Sequence, residues 1–336
     1  MGKKSKLLIV AICFIIIGVI LLAIGYVAGG YENIVKKYAD NDNLVYINKE
    51  LDSFEDLDIT LQYGDVEIIS GDKYFVELSY NKKYDEVKYD VQNNKLIITS
   101  ENKKNLKFDI DFFGKSYKNK KVKVKIYVPE GSEISTSNLN LESGDLILKN
   151  LNIGTMNIED EYGDNKIDNI YSKILNIEAS SGDIEINNVN SDEISLICEY
   201  GDIDLKNINS NKLKAYLESG ELDIDKLKVE SLVVESEYGD IFGKNLITNG
   251  VDFKIESGDV DLSGELRGQN TINSEYGDID IKTSVPEDEY EYDIVIDYGD
   301  CVIGNNSFTG SYKKVNESKN NKFTIISESG DIKIKF

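Results

Sequence analysis

Residues 181–220 read SGDIEINNVNSDEISLICEYGDIDLKNINSNKLKAYLESG, and this stretch decides the fold. Its two 19-residue units begin at the glycines Gly182 and Gly201, each followed by aspartate. Apolar and polar residues then alternate, as at Ile184 and Ile186, which indicates a half-buried strand. An Asn-rich turn and a second alternating run complete the unit. Each unit therefore reads as strand, turn, strand, turn.

The same period runs through much of the chain, because eight glycines lie 19 residues apart: Gly144, Gly163, Gly182, Gly201, Gly220, Gly239, Gly258 and Gly277. Units this short cannot bury a core alone and must stack on their neighbours. Their constant length favours one coil per unit. The sequence therefore predicts an all-β, repetitive β-solenoid with about 19 residues per coil. A stack of consecutive β-hairpins is the alternative.

The residue before each glycine alternates between serine and tyrosine: Ser143, Tyr162, Ser181, Tyr200, Ser219, Tyr238, Ser257 and Tyr276. In the middle of the array, the residue two positions earlier is small beside tyrosine, as at Cys198, and large beside serine, as at Leu217. Protein interiors are close-packed and tolerate neither voids nor overlap. This pattern favours tyrosines that pack between coils over tyrosines that form a binding platform.

Composition excludes several classes of function. The 336 residues include 38 Lys plus Arg and 61 Asp plus Glu, a net charge of -23, which predicts no nucleic-acid partner. The chain has no His, and Arg267 is its only Arg, so the commonest catalytic base is missing. A β-helical polysaccharide lyase or hydrolase is the enzymatic alternative. Because acids recur in nearly every coil, they indicate a scaffold, and we expect no enzyme.

The N-terminal segment is apolar over residues 7–28, and three lysines precede it. About 20 apolar residues are enough to span a bilayer. We therefore expect residues 1–30 to comprise a cytoplasmic tail and one transmembrane helix, with the C-terminal domain outside the cell. A signal peptide cleaved near residues 23–25 is the alternative, and a lipid anchor at Cys13 is a weaker one.

The remaining chain divides by its repeats. Residues 31–50 are predicted to form a polar stalk, and residues 51–336 a β-strand-repeat, adhesin-like domain. Regular repeats cover residues 141–281, and residues 282–336 form a cap, where the glycine spacing lengthens. Cys198 and Cys301 are isolated in sequence, so we expect them to be small core residues.

These motifs resemble a bacterial putative-adhesin family of unknown function. The matching residues are the strand end VPEG at 128–131 and the Ser-Gly-Asp and Tyr-Gly-Asp series out to Asp331. The resemblance covers roughly residues 50–336. It implies a repetitive β fold, often behind a membrane segment, in proteins frequently associated with cell-envelope or membrane-stress systems. No catalytic residue carries over.

Acidic residues recur on both sides of the repeated glycines and would stack along one edge of a solenoid. Calcium prefers about six to eight oxygen ligands, and two carboxylates per coil would contribute to such a set. The candidate metal ligands are Glu199, Asp202, Glu237, Asp240, Glu275 and Asp278. The alternative is that these acids are solvated groups in turns, with no cofactor bound.

Together these features predict a membrane-anchored, extracytoplasmic adhesin-like binding or scaffold protein of the bacterial cell envelope. Its expected partners are the membrane, through the N-terminal helix, and a protein or glycan ligand outside the cell. The alternative is a regulatory or sensing partner of a membrane-stress response system.

Overall fold

The computed structural model describes residues 43–103, 121–315 and 319–336. Residues 46–336 are assigned to one compact unit. The predicted transmembrane segment lies outside the described residues. Among the residues that are described, no helix is long and apolar enough to cross a membrane.

The described part of the chain is all-β, with one short 3-10 helix at Glu287–Glu289. The strands are β1 Leu44–Glu50, β2 Asp56–Leu61, β3 Gly64–Gly71, β4 Phe75–Asn81, β5 Asp85–Gln92, β6 Lys95–Asn102, β7 Val122–Pro129, β8 Glu133–Leu141, β9 Leu146–Tyr162, β10 Asn165–Ser181, β11 Ile184–Tyr200, β12 Ile203–Ser219, β13 Leu222–Tyr238, β14 Ile241–Ser257, β15 Val260–Tyr276, β16 Ile279–Thr283, β17 Tyr290–Tyr298, β18 Asp300–Ile303, β19 Asn306–Thr309, β20 Tyr312–Lys314, β21 Asn321–Ser329 and β22 Ile332–Lys335. Strand β1 lies within residues 31–50, which are predicted to form a polar stalk.

The middle of the sheet consists of seven consecutive parallel strands, β9 to β15, of 17 residues each. Each pairs in parallel with the next, so that Asn165 faces Ile184 and Ile184 faces Ile203, at offsets of 19 residues. Between β14 and β15 the offset falls to 18 over residues 246–248 and then returns to 19. Consecutive hairpins would instead place neighbouring strands antiparallel. The predicted all-β, solenoid-like fold is therefore confirmed, and the hairpin stack is excluded for these strands.

The core is built from inward-facing residues that stack in columns across the coils. Ile184, Ile203 and Leu222 share one column, and all three are fully buried. Burying such a side chain contributes about 1.5–3 kcal/mol. Cys198 and Cys301 are also fully buried with free thiols, which confirms the prediction that they are core residues.

A glycine marks one corner of each coil because successive backbones approach closely there. Gly220 has φ +133°, and a Cβ at this position would lie 2.0 Å from the carbonyl oxygen of Gly201. Its amide donates to the carbonyl of Tyr238 in the next coil at 3.1 Å. A side chain here would meet both steric overlap and backbone strain. The 19-residue spacing of the glycines therefore reflects a close contact between successive coils.

A second corner explains the Asn-rich stretch of each unit. Asn188 and Asn207 both adopt left-handed backbone angles, with φ values of 56° and 55°, which asparagine tolerates better than most residues. The side-chain amide of Asn207 donates to Oδ1 of Asn188 at 3.0 Å. Both asparagines lie inside long strands, so the predicted turn between the two strands of a unit is a bend within one continuous strand. The asparagines at this bend also join neighbouring coils.

Both ends of the sheet are interlocked rather than sequential. Strand β21 pairs in parallel with β15 on one side and with β17 on the other, so the last long strand lies inside the stack. Likewise, β2 lies between β6 and β8. Antiparallel strands then flank the outer strands, with β5 on β6 and β20 on β17. Short antiparallel strands at the ends shield edges that would otherwise invite pairing with other chains.

We expect Gly220→Ala to lower the free energy of unfolding by roughly 3 kcal/mol, at the upper end for one substitution, because Cβ would overlap the Gly201 carbonyl. Urea unfolding followed by circular dichroism measures this change. Gly131→Ala is the matched control, since Gly131 has φ +78° but open space around it. If Gly220→Ala lowered the free energy of unfolding no more than Gly131→Ala does, the steric explanation of the glycine spacing would be wrong.

Candidate functional site

The most regular surface feature is a line of tyrosines, here called the tyrosine column, that occupies every second coil. Strand pairing places a serine between each tyrosine and the next. The column consists of Tyr63, Tyr162, Tyr200, Tyr238, Tyr276 and Tyr298, separated by Ser143, Ser181, Ser219, Ser257 and Ser329. The interlocked C-terminus completes the alternation, because Ser329 lies between Tyr276 and Tyr298.

These tyrosines face solvent. Tyr200 is 55% exposed and Tyr162 is 62% exposed, whereas Cys198, two residues before Tyr200, is fully buried. The chain bends at Gly201, so Tyr200 leaves the inward face that Cys198 still shares. The prediction that the tyrosines pack between coils against a small neighbour is therefore wrong.

The alternation of large and small residues operates within the core instead. Cys198, Leu217 and Ser236 lie in register on three successive coils, and all are buried. The small polar residues bond to the glycine corner: Cys198 Sγ lies 3.4 Å from the carbonyl of Gly201, and Ser236 Oγ 3.4 Å from that of Gly239. The small residues thus accommodate the bulk of Leu217 and support the corner that turns the tyrosines outward.

In most coils, the residue immediately before this tyrosine or serine is a glutamate. These residues are here called the glutamate column: Glu142, Glu161, Glu199, Glu218, Glu237, Glu256 and Glu275. The hydroxyl of Tyr200 donates to Glu218 at 2.8 Å, and this bond raises the pKa of Tyr200. Within the described ranges, no Lys or Arg forms a salt bridge with any member of this column. The column is a strip of uncompensated negative charge.

The aspartates that follow the glycines form a ladder with the backbone of the next coil. Asp202 Oδ1 accepts the amide of Glu221 at 2.9 Å, and Asp240 Oδ1 accepts that of Asp259 at 2.8 Å. Asp278 Oδ1 accepts the amide of Asp331 at 2.8 Å, so the ladder continues through the interlocked end. These aspartates therefore have a structural role at the corner.

The six candidate metal ligands are consequently distributed over alternate coils. The six residues form three pairs, each at the corner of a different tyrosine-bearing coil: Glu199 with Asp202, Glu237 with Asp240, and Glu275 with Asp278. In the part of the chain that the structure describes, no three acidic or Cys side chains are grouped so that they would hold a metal ion. The repeat period predicts the stacking of the acids, but no local signal in the sequence indicates their backbone partners.

We expect millimolar calcium to raise the melting temperature of the full chain no more than magnesium does. Each aspartate of the ladder already uses one oxygen for an amide, which leaves too few for a set of about six to eight ligands. Thermal unfolding by circular dichroism measures the shift. A rise specific to calcium would show ligand binding to the native state and contradict the structural role.

Asp160 is an exception in the core column, where its counterparts are apolar, Cys or Ser. It is 2% exposed, and its Oδ2 accepts from Asn165 Nδ2 at 3.2 Å. Asp160 Oδ1 and Asn165 Oδ1 have no hydrogen-bond partner among the described residues. Burial raises the pKa of Asp160 to about 7, and the nearby carboxylates of Asp145 and Asp164 add to the increase.

We expect Asp160→Asn to stabilise the chain increasingly as pH rises from 4 to 7. The folded pKa lies above the unfolded value, so the native state holds the proton more tightly and wild-type stability falls through this window. Above pH 7, the gain in free energy of unfolding of the variant over wild type is on the order of 4 kcal/mol. This follows because burial raises the pKa by about three pH units, and each unit corresponds to about 1.4 kcal/mol. Urea unfolding at several pH values measures it, with the exposed Asp261→Asn as control. A difference independent of pH would contradict this assignment.

The fold and surface define a class: an acidic, parallel β-solenoid protein with a regular aromatic strip. The chain belongs to the Toastrack DUF4097 family, whose model matches residues 54–215 and 171–335. This membership confirms the resemblance to a family of unknown function that the motifs indicated.

Solved structures that are similar to the chain include the following three. A putative adhesin from Parabacteroides distasonis has 12% identity and a TM-score of 0.42, covering 86% of this chain and 96% of that one. A putative lipid binding protein from the same species has 15% identity, a TM-score of 0.42 and coverages of 87% and 98%. A putative adhesin from Parabacteroides merdae has 13% identity, a TM-score of 0.38 and coverages of 87% and 97%. No curated protein matches the chain.

Proposed function

We propose that this protein is a non-enzymatic, adhesin-like binding scaffold, displayed on the outer face of a bacterial cell membrane through residues 7–28. The tyrosine column carries the proposal. Isolated exposed apolar residues are normal on a protein surface, but a contiguous or regular set indicates an interaction site. Here the exposed rings recur at every second coil of a rigid stack, so the scaffold repeats one contact along its length.

The arrangement of the acids also supports a scaffold. A catalytic carboxylate pair would be particular to one place, whereas the glutamate column and the aspartate ladder recur in most coils. A repeated surface suits binding of an extended ligand, because each coil adds one weak contact and the contacts act together.

Display outside the cell can be tested with a cysteine reporter in the full chain. Lys214 is exposed in the middle of the solenoid, and the native Cys198 and Cys301 are buried. We expect a membrane-impermeant maleimide to label Lys214→Cys on intact cells. Lys4→Cys should be labelled only after lysis, and the parent chain reports any background from Cys13. The reverse pattern would contradict the proposed topology.

Adhesion can be measured as the retention of bacterial cells that express the full chain. Expressing cells and vector-only cells are washed from surfaces coated with poly-L-lysine, with mucin or with nothing. We expect greater retention of expressing cells on at least one coating, and this should persist when residues 7–28 are replaced by an unrelated span of equal length. Retention equal to the vector control on all three surfaces would contradict adhesion. Loss only on replacing the span would favour the regulatory alternative.

A further inference from the structure

The tyrosine column has a defined spacing. Neighbouring strands in a sheet lie about 4.8 Å apart, so tyrosines on alternate coils are about 9.6 Å apart. Ser181 and Ser219 leave space on both sides of Tyr200. A ligand that makes the same contact at each tyrosine must therefore repeat at nearly this distance.

The charge beside the column restricts the chemistry of that ligand. The chain carries a net charge of -23, and the glutamate column has no basic partner within the described residues. The face of an aromatic ring attracts ammonium and guanidinium groups, and a carboxylate forms its strongest hydrogen bonds with the same groups. Tyr200 and Glu218, joined by a 2.8 Å hydrogen bond, present both features at one place.

We propose that the tyrosine column binds an extended basic peptide that carries Lys or Arg at every third residue. A polyproline II segment rises about 3.1 Å per residue and has three residues per turn, so every third side chain recurs on one face at about 9.3 Å. This period agrees with the tyrosine spacing, and aromatic surfaces are a common means of recognising such segments. The inference rests on the proposed binding function and names the class of its ligand.

The experiment uses the full chain in detergent micelles and a fluorescent peptide of five Lys-Pro-Pro repeats, with binding followed by fluorescence anisotropy. We expect Tyr200→Ser combined with Tyr238→Ser to weaken binding about tenfold, equivalent to about 1.4 kcal/mol. Serine occupies the same position in alternate coils, so this variant should fold, and circular dichroism checks that it does. Tyr171→Ser is the matched control, because Tyr171 is 58% exposed but lies outside the column.

Further variants and a second peptide separate the contributions of the aromatic ring, the charge and the lysine spacing to binding. The Tyr200→Phe and Tyr238→Phe pair should retain most of the affinity, since phenylalanine keeps the aromatic face. Glu218→Gln with Glu237→Gln should weaken binding, and so should added salt. A peptide with five lysines at every second position should bind less tightly than the Lys-Pro-Pro peptide.

The proposal would be overturned by equal binding of the two lysine spacings or by no loss of affinity in the double serine variant. It would also be overturned by tyrosine-dependent binding of a neutral chitin oligosaccharide without peptide binding. The last result would assign the column to a glycan. Cell retention on mucin alone, together with no peptide binding, would sink this inference while leaving the adhesive function intact. No retention on any surface would instead count against the proposed function.

Discussion

The close approach of successive coils at the glycine corner is the constraint on which the rest of the structure depends. A Cβ at most of these glycines would lie about 2 Å from the carbonyl oxygen of the glycine in the coil below. The corner therefore admits only glycine, and it repeats in register with the strands on either side. A coil that gained or lost one residue would shift every side chain of the following strand to the opposite face. The fixed length of 19 residues follows from this contact.

The same corner determines where the acids and aromatics lie. Since the glycines bring backbone amides into line, the aspartate after each glycine can accept the amide of the next coil, as Asp202 does from Glu221. Since the chain bends there, the residue before each glycine leaves the core. One backbone feature thus assigns a structural role to the aspartates and an exposed position to the tyrosines.

The sequence predicts the repeat, the strands and the buried cysteines well, because period-two alternation and glycine spacing are local signals. It gives no local signal for the order of strands at the ends. Strand β21 follows β17 along the chain yet lies between β15 and β17, and only the pairing of distant strands reveals this. The exposed position of the tyrosines was not predicted, for a related reason. The prediction continued the alternation of inward and outward side chains up to Gly201, but a glycine at a corner ends that alternation. For the same reason, the position of Ser329 between Tyr276 and Tyr298 can be seen only once the strand order is known.

The alternation of tyrosine with serine also has a physical reason on the surface. Tyrosines on every coil would lie about 4.8 Å apart, close enough for each ring to cover its neighbours. Serine on the intervening coil separates the rings and leaves their faces accessible, as the 55% to 62% exposure of Tyr162, Tyr200, Tyr238 and Tyr276 shows. Burial in the core would account for large residues alternating with small ones, as at Leu217 and Ser236, but it does not account for rings kept apart in solvent. The exposure of the rings is inconsistent with packing between coils. Separated rings beside carboxylates that form no salt bridge with Lys or Arg among the described residues instead suit the repeating ligand that we propose.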